Sequence, residues 1–166
     1  MELTAKVRGG KYILFDEEGK RVAEVQNVRL KGSQMKVQDE KGETLYTVVK
    51  DGDTIEVSGL SGGKLETGRM MYEQDEAGNI VQPNLFRPPM AEKLCLSSPW
   101  GEIQVVQNSK REFGIFLDQK KAGKMTHMLG LHKKITEASE GLPMEVYGLI
   151  FGLGMYMLRE DDVEIV

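Results

Sequence analysis

The segment 146–158 contains no charged side chain and is bounded by Glu145 and Arg159. Pro143 suits the first position of a helix, and Glu145 suits the positive end of the helix dipole. A helix that is apolar on every side must be surrounded by other apolar groups. As a helix this segment is only about 20 Å long, shorter than the ~30 Å hydrocarbon core of a bilayer. We therefore predict a buried helix over about 142–158, not a membrane span.

The rest of the chain reads mainly as short β-strands separated by turns. Three Asp-x-x-Gly turns recur, in which the Asp can bond to backbone N–H groups and the Gly can adopt the left-handed conformation of a hairpin. They are Asp16 to Gly19, Asp39 to Gly42 and Asp75 to Gly78. The flanking segments are rich in alternating apolar, β-branched and aromatic residues. They cover 11–15, 21–28, 34–37, 44–49, 54–57, 64–72, 93–96, 102–106 and 112–117.

Three further segments are less regular. Segment 124–138 predicts a helix or an irregular strand, because Met125, Met128, Leu129, His132 and Ile135 share one helical face although Gly130 interrupts it. Prolines place segment 82–89 in a surface loop, which either folds back on the domain or presents Leu85 and Phe86 to a partner. Segment 163–166 alternates like a last strand.

Many amphipathic strands and one helix without a polar face satisfy each other if the sheet closes around the helix. A closed barrel of about a dozen strands can contain a helix and removes exposed strand edges. Gly148, Gly152 and Gly154 would let the helix approach the wall. The predicted fold is therefore a mainly β (α+β), closed antiparallel barrel of about twelve strands around one C-terminal apolar helix, formed as a single domain over 1–166.

The hairpins at 12–25 and 35–49, followed near the C-terminus by an apolar helix and a short strand, resemble the tubby C-terminal-like superfamily. Within it, the chain is most similar to the LURP-one-related and phospholipid-scramblase-like branch, in a compact bacterial form. The resemblance rests on residues 11–50 and 142–166 and implies a barrel around a central helix. Tubby members bind phosphoinositide head groups through basic surface residues, and scramblase-like members are linked to membranes. The lipidation segment, trailing membrane helix and calcium loop of scramblases are missing here, which argues against scramblase activity.

Composition limits the classes of function. The 22 basic and 26 acidic residues give a net charge of −4, which provides no general attraction to nucleic acid. The single cysteine, Cys95, has no partner for an intrachain disulfide, so we expect a reducing, cytoplasmic setting, with peripheral membrane association as a further expectation. The oligomeric state is left open by these patterns.

No combination of residues predicts catalysis, a cofactor or a metal. Gly59-Leu60-Ser61-Gly62-Gly63 matches a nucleophile elbow in letters, but strand-like sequence follows it instead of a helix. The same glycines before Lys64 are one residue short of a phosphate loop, so we predict a hairpin turn. His127 and His132 are five residues apart and lack further ligands nearby. Asp51 and Asp53 flank Gly52, where their carboxylates can simply bond to turn backbone.

One segment has an excess of positive charge. Between Lys110 and Lys134, the only acidic residues are Glu112 and Asp118. The basic residues there are Lys110, Arg111, Lys120, Lys121, Lys124, Lys133 and Lys134. If the fold gathers them, they form a patch that attracts anionic phospholipid or phosphoinositide head groups. The alternative is that they solvate hairpin ends. We therefore expect a non-enzymatic binding or scaffold domain, with a protein-interaction module that binds no lipid as the alternative.

Overall fold

A computed structural model describes residues 1–27, 34–60, 62–72, 74, 76–79 and 91–161. These residues form twelve strands followed by one helix. The strands are β1 Leu3–Arg8, β2 Lys11–Phe15, β3 Arg21–Asn27, β4 Gln34–Gln38, β5 Thr44–Asp51, β6 Thr54–Gly59, β7 Gly62–Tyr72, β8 Ala91–Ser98, β9 Gly101–Gln107, β10 Phe113–Leu117, β11 Lys120–Thr126 and β12 His132–Thr136. The helix, α1, is Met144–Asp161.

The strands form one closed antiparallel barrel. Each strand pairs with its neighbours in the chain, and β1 closes the barrel against β12 in the register Ala5 to Lys133. The strands alternate between side chains that face the interior and side chains that face outward, and bulges such as the one in β11 opposite Ile115 and Phe116 interrupt this period locally. The predicted fold class, a closed barrel with one C-terminal helix, is confirmed.

The up-and-down order places the hairpin turns alternately at two ends of the barrel. The entry end, where α1 begins, carries the β2–β3, β4–β5, β8–β9 and β10–β11 turns. The exit end carries the β1–β2, β5–β6, β9–β10 and β11–β12 turns. The helix runs from the first end to the second, since Tyr147 contacts Ser139 beside its start whereas Met155 and Tyr156 line a cavity with Gly10 of the β1–β2 turn.

The helix fills the interior as its uncharged sequence predicts. Side chains on all its sides are buried, including Val146, Tyr147, Leu149, Ile150 and Phe151. Glu145 lies in the first turn, where the helix dipole favours a carboxylate. The predicted range of 142–158 therefore identifies the core helix, whose observed end lies a few residues further along the chain.

The three helix glycines lie against the barrel wall, as predicted. A Cβ atom on Gly154 would lie 2.8 Å from Met125 Cε, and one on Gly152 would overlap the side chain of Met35. These glycines therefore permit a separation between helix and wall that larger residues would prevent.

Two of the predicted hairpin turns are present as expected. Asp16 Oδ1 accepts hydrogen bonds from the backbone N–H of Glu18 (3.0 Å) and Lys20 (2.8 Å), and Gly19 has a φ of 81°. The turn that begins at Asp39 repeats this arrangement. Asp75, the first residue of the third predicted turn, lies outside the described residues. A fourth turn of the same form begins at Asn108, and sequence inspection missed it because Asn and Arg111 replace Asp and Gly.

Segment 124–138 is not helical. It contains the end of β11, the turn 127–131 and all of β12, so the irregular-strand prediction is confirmed and the helical one is wrong. Met125 and Ile135 share the interior face, but Leu129 is exposed, contrary to a single helical stripe. Cross-strand pairing with β10 and β1 overrides the helical spacing. The predicted loop at 82–89 and last strand at 163–166 lie outside the described residues.

Candidate functional site

The seven basic residues predicted as a patch do not converge. Lys110 and Arg111 lie in the β9–β10 turn at the exit end, whereas Lys120 and Lys121 begin β11 at the entry end. The five residues of β10 separate the two pairs by about 17 Å. The predicted set is therefore distributed along one sector of the barrel from end to end.

Lys133 is not a surface residue. Its side chain faces the interior because it is paired with Ala5 of β1, and the residue is only 6% exposed. The Lys133 Nζ donates hydrogen bonds to the backbone carbonyls of Met128 (2.5 Å) and Gly130 (2.7 Å), and it lies 5.9 Å from the centroid of the Tyr12 ring. Burial lowers the pKa of this amine. Lys133 therefore supports the β11–β12 turn from beneath.

Three of the remaining lysines face outward but have carboxylate partners. Lys124 Nζ lies 3.0 Å from Glu112 Oε2, and this bond lowers the pKa of Glu112, with a further contribution from the charge of Lys110. Lys134 Nζ lies 3.3 Å from an oxygen of Glu2. Lys121 Nζ lies 2.5 Å from an oxygen of Glu137 and lowers its pKa. These pairs reduce the net charge that the lysines present to a ligand.

The fold brings additional cations to the same sector, from the other end of the sequence. Closure of the barrel places β1 beside β12, with Lys6 opposite His132. On the other side of β1, Arg8 is opposite Lys11 of β2. The outward side chains of β2, β1, β12 and β11 thus form what we call the basic face, which consists of Lys6, Arg8, Lys11, Lys124 and Lys134.

Lys6 and Arg8 form the centre of this face. Both lie over the ring of Phe15, with Lys6 Nζ 5.6 Å and Arg8 Cζ 5.8 Å from its centroid. Such contacts with an aromatic ring hold cations in place. Neither side chain has an acidic partner among the residues that the structure describes, whereas Lys11 pairs with Glu24 at 3.2 Å. Both cations are therefore held at the same ring without a carboxylate partner among the described residues.

Sequence reasoning missed Lys6, Arg8 and Lys11 because a local charge count considers only residues near one another in the chain. The available signal was the alternation of β1, in which Lys6 and Arg8 occupy outward positions on either side of Val7. Recognising their proximity to Lys134 required knowledge of which strands meet where the barrel closes.

The entry end has the opposite charge. Its described connections contain Lys20 and Lys41 as basic residues. The acidic residues there are Glu2, Asp16, Glu17, Glu18, Asp39, Glu40, Glu43, Asp118, Glu137 and Glu140. The connections at the entry end are therefore strongly acidic, although Lys120 and Lys121 begin β11 beside them.

The other candidate sites have structural explanations within the described residues. Gly59 and Gly62 face each other across the β6–β7 turn, as the hairpin prediction requires, while Ser61 lies outside the described residues. Asp53 binds Arg69, with 3.3 Å between its Oδ2 and the Arg69 Nε. His127 Nδ1 lies 3.0 Å from the Oγ1 of the adjacent Thr126. No group of three or more potential metal ligands occurs in the described part of the chain.

A small apolar cavity lies between α1 and the wall at the exit end. Its volume is about 40 Å³, and Tyr12, Met35, Gly152 and Met155 are among its lining residues. Binding pockets for small molecules usually measure ~300 Å³ or more. The cavity is therefore too small for a lipid chain or a typical metabolite, and the outer surface is the better candidate for ligand binding.

Comparison with known proteins identifies the architecture only. No family model and no curated protein matches the sequence. An X-ray structure of a protein from Arabidopsis thaliana has a similar fold, with a TM-score of 0.57 at 10% sequence identity over 95% of this chain and 91% of that one. At this identity the similarity concerns the fold. Among the described residues, no helix combines the length and hydropathy needed to span a membrane.

Proposed function

We propose that the protein is a non-enzymatic binding domain whose basic face binds the head groups of anionic phospholipids in a peripheral association with the membrane. One observation carries this proposal: Lys6 and Arg8 are held over the same Phe15 ring without a carboxylate partner in the described structure. Like charges held together are unfavourable unless an anion lies between them. A phosphate group supplies negative charge and is a strong hydrogen-bond acceptor for both ammonium and guanidinium groups.

The shape and charge of the barrel favour a membrane surface over a soluble anion. The basic face spans four adjacent strands and lies on the outside of the barrel, where it can approach several head groups at once. The acidic entry end is repelled by an anionic surface and therefore turns away from it. Each basic residue near such a surface contributes about 1 kcal/mol.

Vesicle sedimentation tests this function. We expect the protein to pellet with vesicles that contain about one-third phosphatidylserine, but not with pure phosphatidylcholine, and to do so less at ~1 M than at ~0.1 M salt. The double substitution Lys6→Gln, Arg8→Gln should weaken binding about 30-fold, since two cations contribute ~2 kcal/mol.

The matched control is Lys41→Gln, Lys120→Gln, which removes the same charge from exposed positions at the entry end. It should leave binding nearly unchanged. Equal losses for the two double variants would show that net charge matters and the basic face does not. Equal pelleting with neutral vesicles would contradict head-group recognition, and stronger binding to soluble inorganic phosphate than to vesicles would indicate a different ligand.

A further inference from the structure

The turn between β11 and β12 presents two leucines to solvent at the exit end. Leu129 is 74% exposed and Leu131 is 81% exposed, whereas the next most exposed large apolar side chain of the described residues is Val7, at 50%. Val7 is also near the exit end, on β1, which pairs with β12. Scattered exposed apolar residues are ordinary, but this turn places two of them side by side at the tip of one hairpin.

The conformation of this tip is held from inside the barrel. Lys133 Nζ binds the carbonyls on both sides of Leu129, those of Met128 and Gly130. The Gly130 N–H donates to the His127 carbonyl at 2.9 Å. The Met128 side chain is only 2% exposed and packs near Gly154 of the helix. These contacts fix the conformation of the turn in which both leucines are exposed.

The turn is supported by the amine of Lys133, a group that is energetically costly to bury. A buried ammonium ion is unfavourable unless its hydrogen bonds are satisfied, and two of those of Lys133 are used on the tip carbonyls. Lys133 is thus a positioning residue, whose hydrogen bonds help to keep Met128 inside and Leu129 outside.

Basic residues lie on the strands and turns next to the tip. His132, which follows Leu131, is opposite Lys6 of the basic face. The β9–β10 turn, at the same end of the barrel, carries Lys110. The apolar tip therefore lies beside the basic face. It is at the exit end of the barrel, whereas the acidic connections are at the entry end.

We propose that Leu129 and Leu131 insert into the interfacial region of an anionic bilayer while the basic face binds the surrounding head groups. This inference rests on the proposed function and adds an apolar contact to it. A protein with one covalent lipid chain needs a second signal such as a basic patch for stable attachment, and an apolar tip beside a basic face combines the same two kinds of contact. Two leucines are far smaller than the ~800 Å² that each partner contributes to a standard protein interface, which favours lipid over a protein partner.

Tryptophan fluorescence tests insertion directly. The single Trp100 lies in the β8–β9 turn at the entry end, so in the unmodified protein it should be unaffected by phosphatidylserine vesicles whose acyl chains are brominated. In the variant Trp100→Phe, Leu129→Trp, the new indole should be quenched by the same vesicles and its emission should shift to shorter wavelength. Leu131→Trp in the same background provides a second, independent probe, and thermal unfolding confirms that each variant is folded.

Affinity provides the second measurement. Leu129→Ala and Leu131→Ala should each weaken vesicle binding about tenfold, because part of the transfer free energy of a leucine is lost. This factor should persist at ~1 M salt, where electrostatic binding is screened. The control Leu65→Ala, Val49→Ala removes exposed apolar groups elsewhere on the barrel and should have little effect.

The outcomes separate this inference from the proposed function. Vesicle binding without quenching at either probe position would overturn insertion and leave head-group binding in place. No vesicle binding by the unmodified protein would overturn both. A dimer in the absence of lipid that is lost on Leu129→Ala, detected by analytical ultracentrifugation, would assign the tip to a second copy of this chain and overturn insertion.

Discussion

Gly148 of the helix packs so closely against Ala23 of β3 that even a methyl group would be tight there. A Cβ atom on Gly148 would lie 3.0 Å from the Ala23 Cβ and 3.2 Å from Val37 Cγ1. Both neighbours are short side chains in barrel strands and have little freedom to move away. The position of the helix inside the barrel therefore depends on the absence of a side chain at residue 148.

We predict that Gly148→Ala lowers the free energy of unfolding by roughly 1 to 2 kcal/mol, because overpacking outweighs the ~1 kcal/mol gain in helix propensity. The matched control is Gly152→Ala, where the Cβ meets the flexible end of Met35 beside the cavity of about 40 Å³. Gly152→Ala should lower the free energy of unfolding by less than Gly148→Ala does. Urea unfolding of both variants measures the difference, and an unchanged or increased stability for Gly148→Ala would contradict the predicted packing.

Tyr147 connects the start of the helix to the barrel through its hydroxyl group. The oxygen accepts a hydrogen bond from the Ser139 N–H (2.8 Å), and the hydroxyl donates one to the Ala122 carbonyl (2.7 Å). We expect Tyr147→Phe to lower the free energy of unfolding by about 1 to 2 kcal/mol at neutral pH.

The pH dependence of this effect has a defined sign. Burial raises the pKa of Tyr147 above 10.0, so above that pH the unfolded chain loses its proton first and the stabilisation by the hydroxyl declines. The difference between wild type and Tyr147→Phe should therefore narrow as the pH rises above 10. A difference that widens in this range would contradict the buried, neutral hydroxyl.

Lys133 should show the opposite trend. Burial lowers its pKa below the ordinary value of 10.5, so in the pH window just below 10.5 the unfolded state holds more protons than the folded state. The contribution of Lys133 to the free energy of unfolding therefore rises with pH in this window. Urea unfolding of wild type and Lys133→Met across this window should show wild type gaining relative to the variant, whereas a constant difference would indicate a solvated amine.

The ion pair between Glu112 and Lys124 should restrain lipid binding. The pKa of Glu112 is lowered by its bond to Lys124, so this carboxylate offsets the charge of the lysine at neutral pH. Glu112→Gln should strengthen sedimentation with anionic vesicles about fivefold, because it leaves Lys124 as one additional unpaired cation. The control is Glu40→Gln, which releases Lys20 at the entry end and should produce no gain. Equal gains would argue against a specific basic face.

Local sequence patterns were sufficient to predict the architecture. Segment 146–158 has no charged side chain and is apolar on every side of a helix, so the fold has to enclose it. Asp16 and Asp39 specify their turns through bonds to backbone atoms only two and four residues away. These interactions are local, and for that reason the sequence indicates them without knowledge of the fold.

The location of the charges was decided by the tertiary structure alone. Whether Lys133 faces the interior and Lys134 the solvent depends on the register of β12 against β1, and that register joins opposite ends of the sequence. The same closure brings Lys6 and Arg8 beside the Leu129 and Leu131 tip. Within a strand, a shift of one residue reverses the direction of every side chain. Composition and spacing thus determined a barrel around a helix, whereas long-range pairing determined which of its lysines reach the surface together.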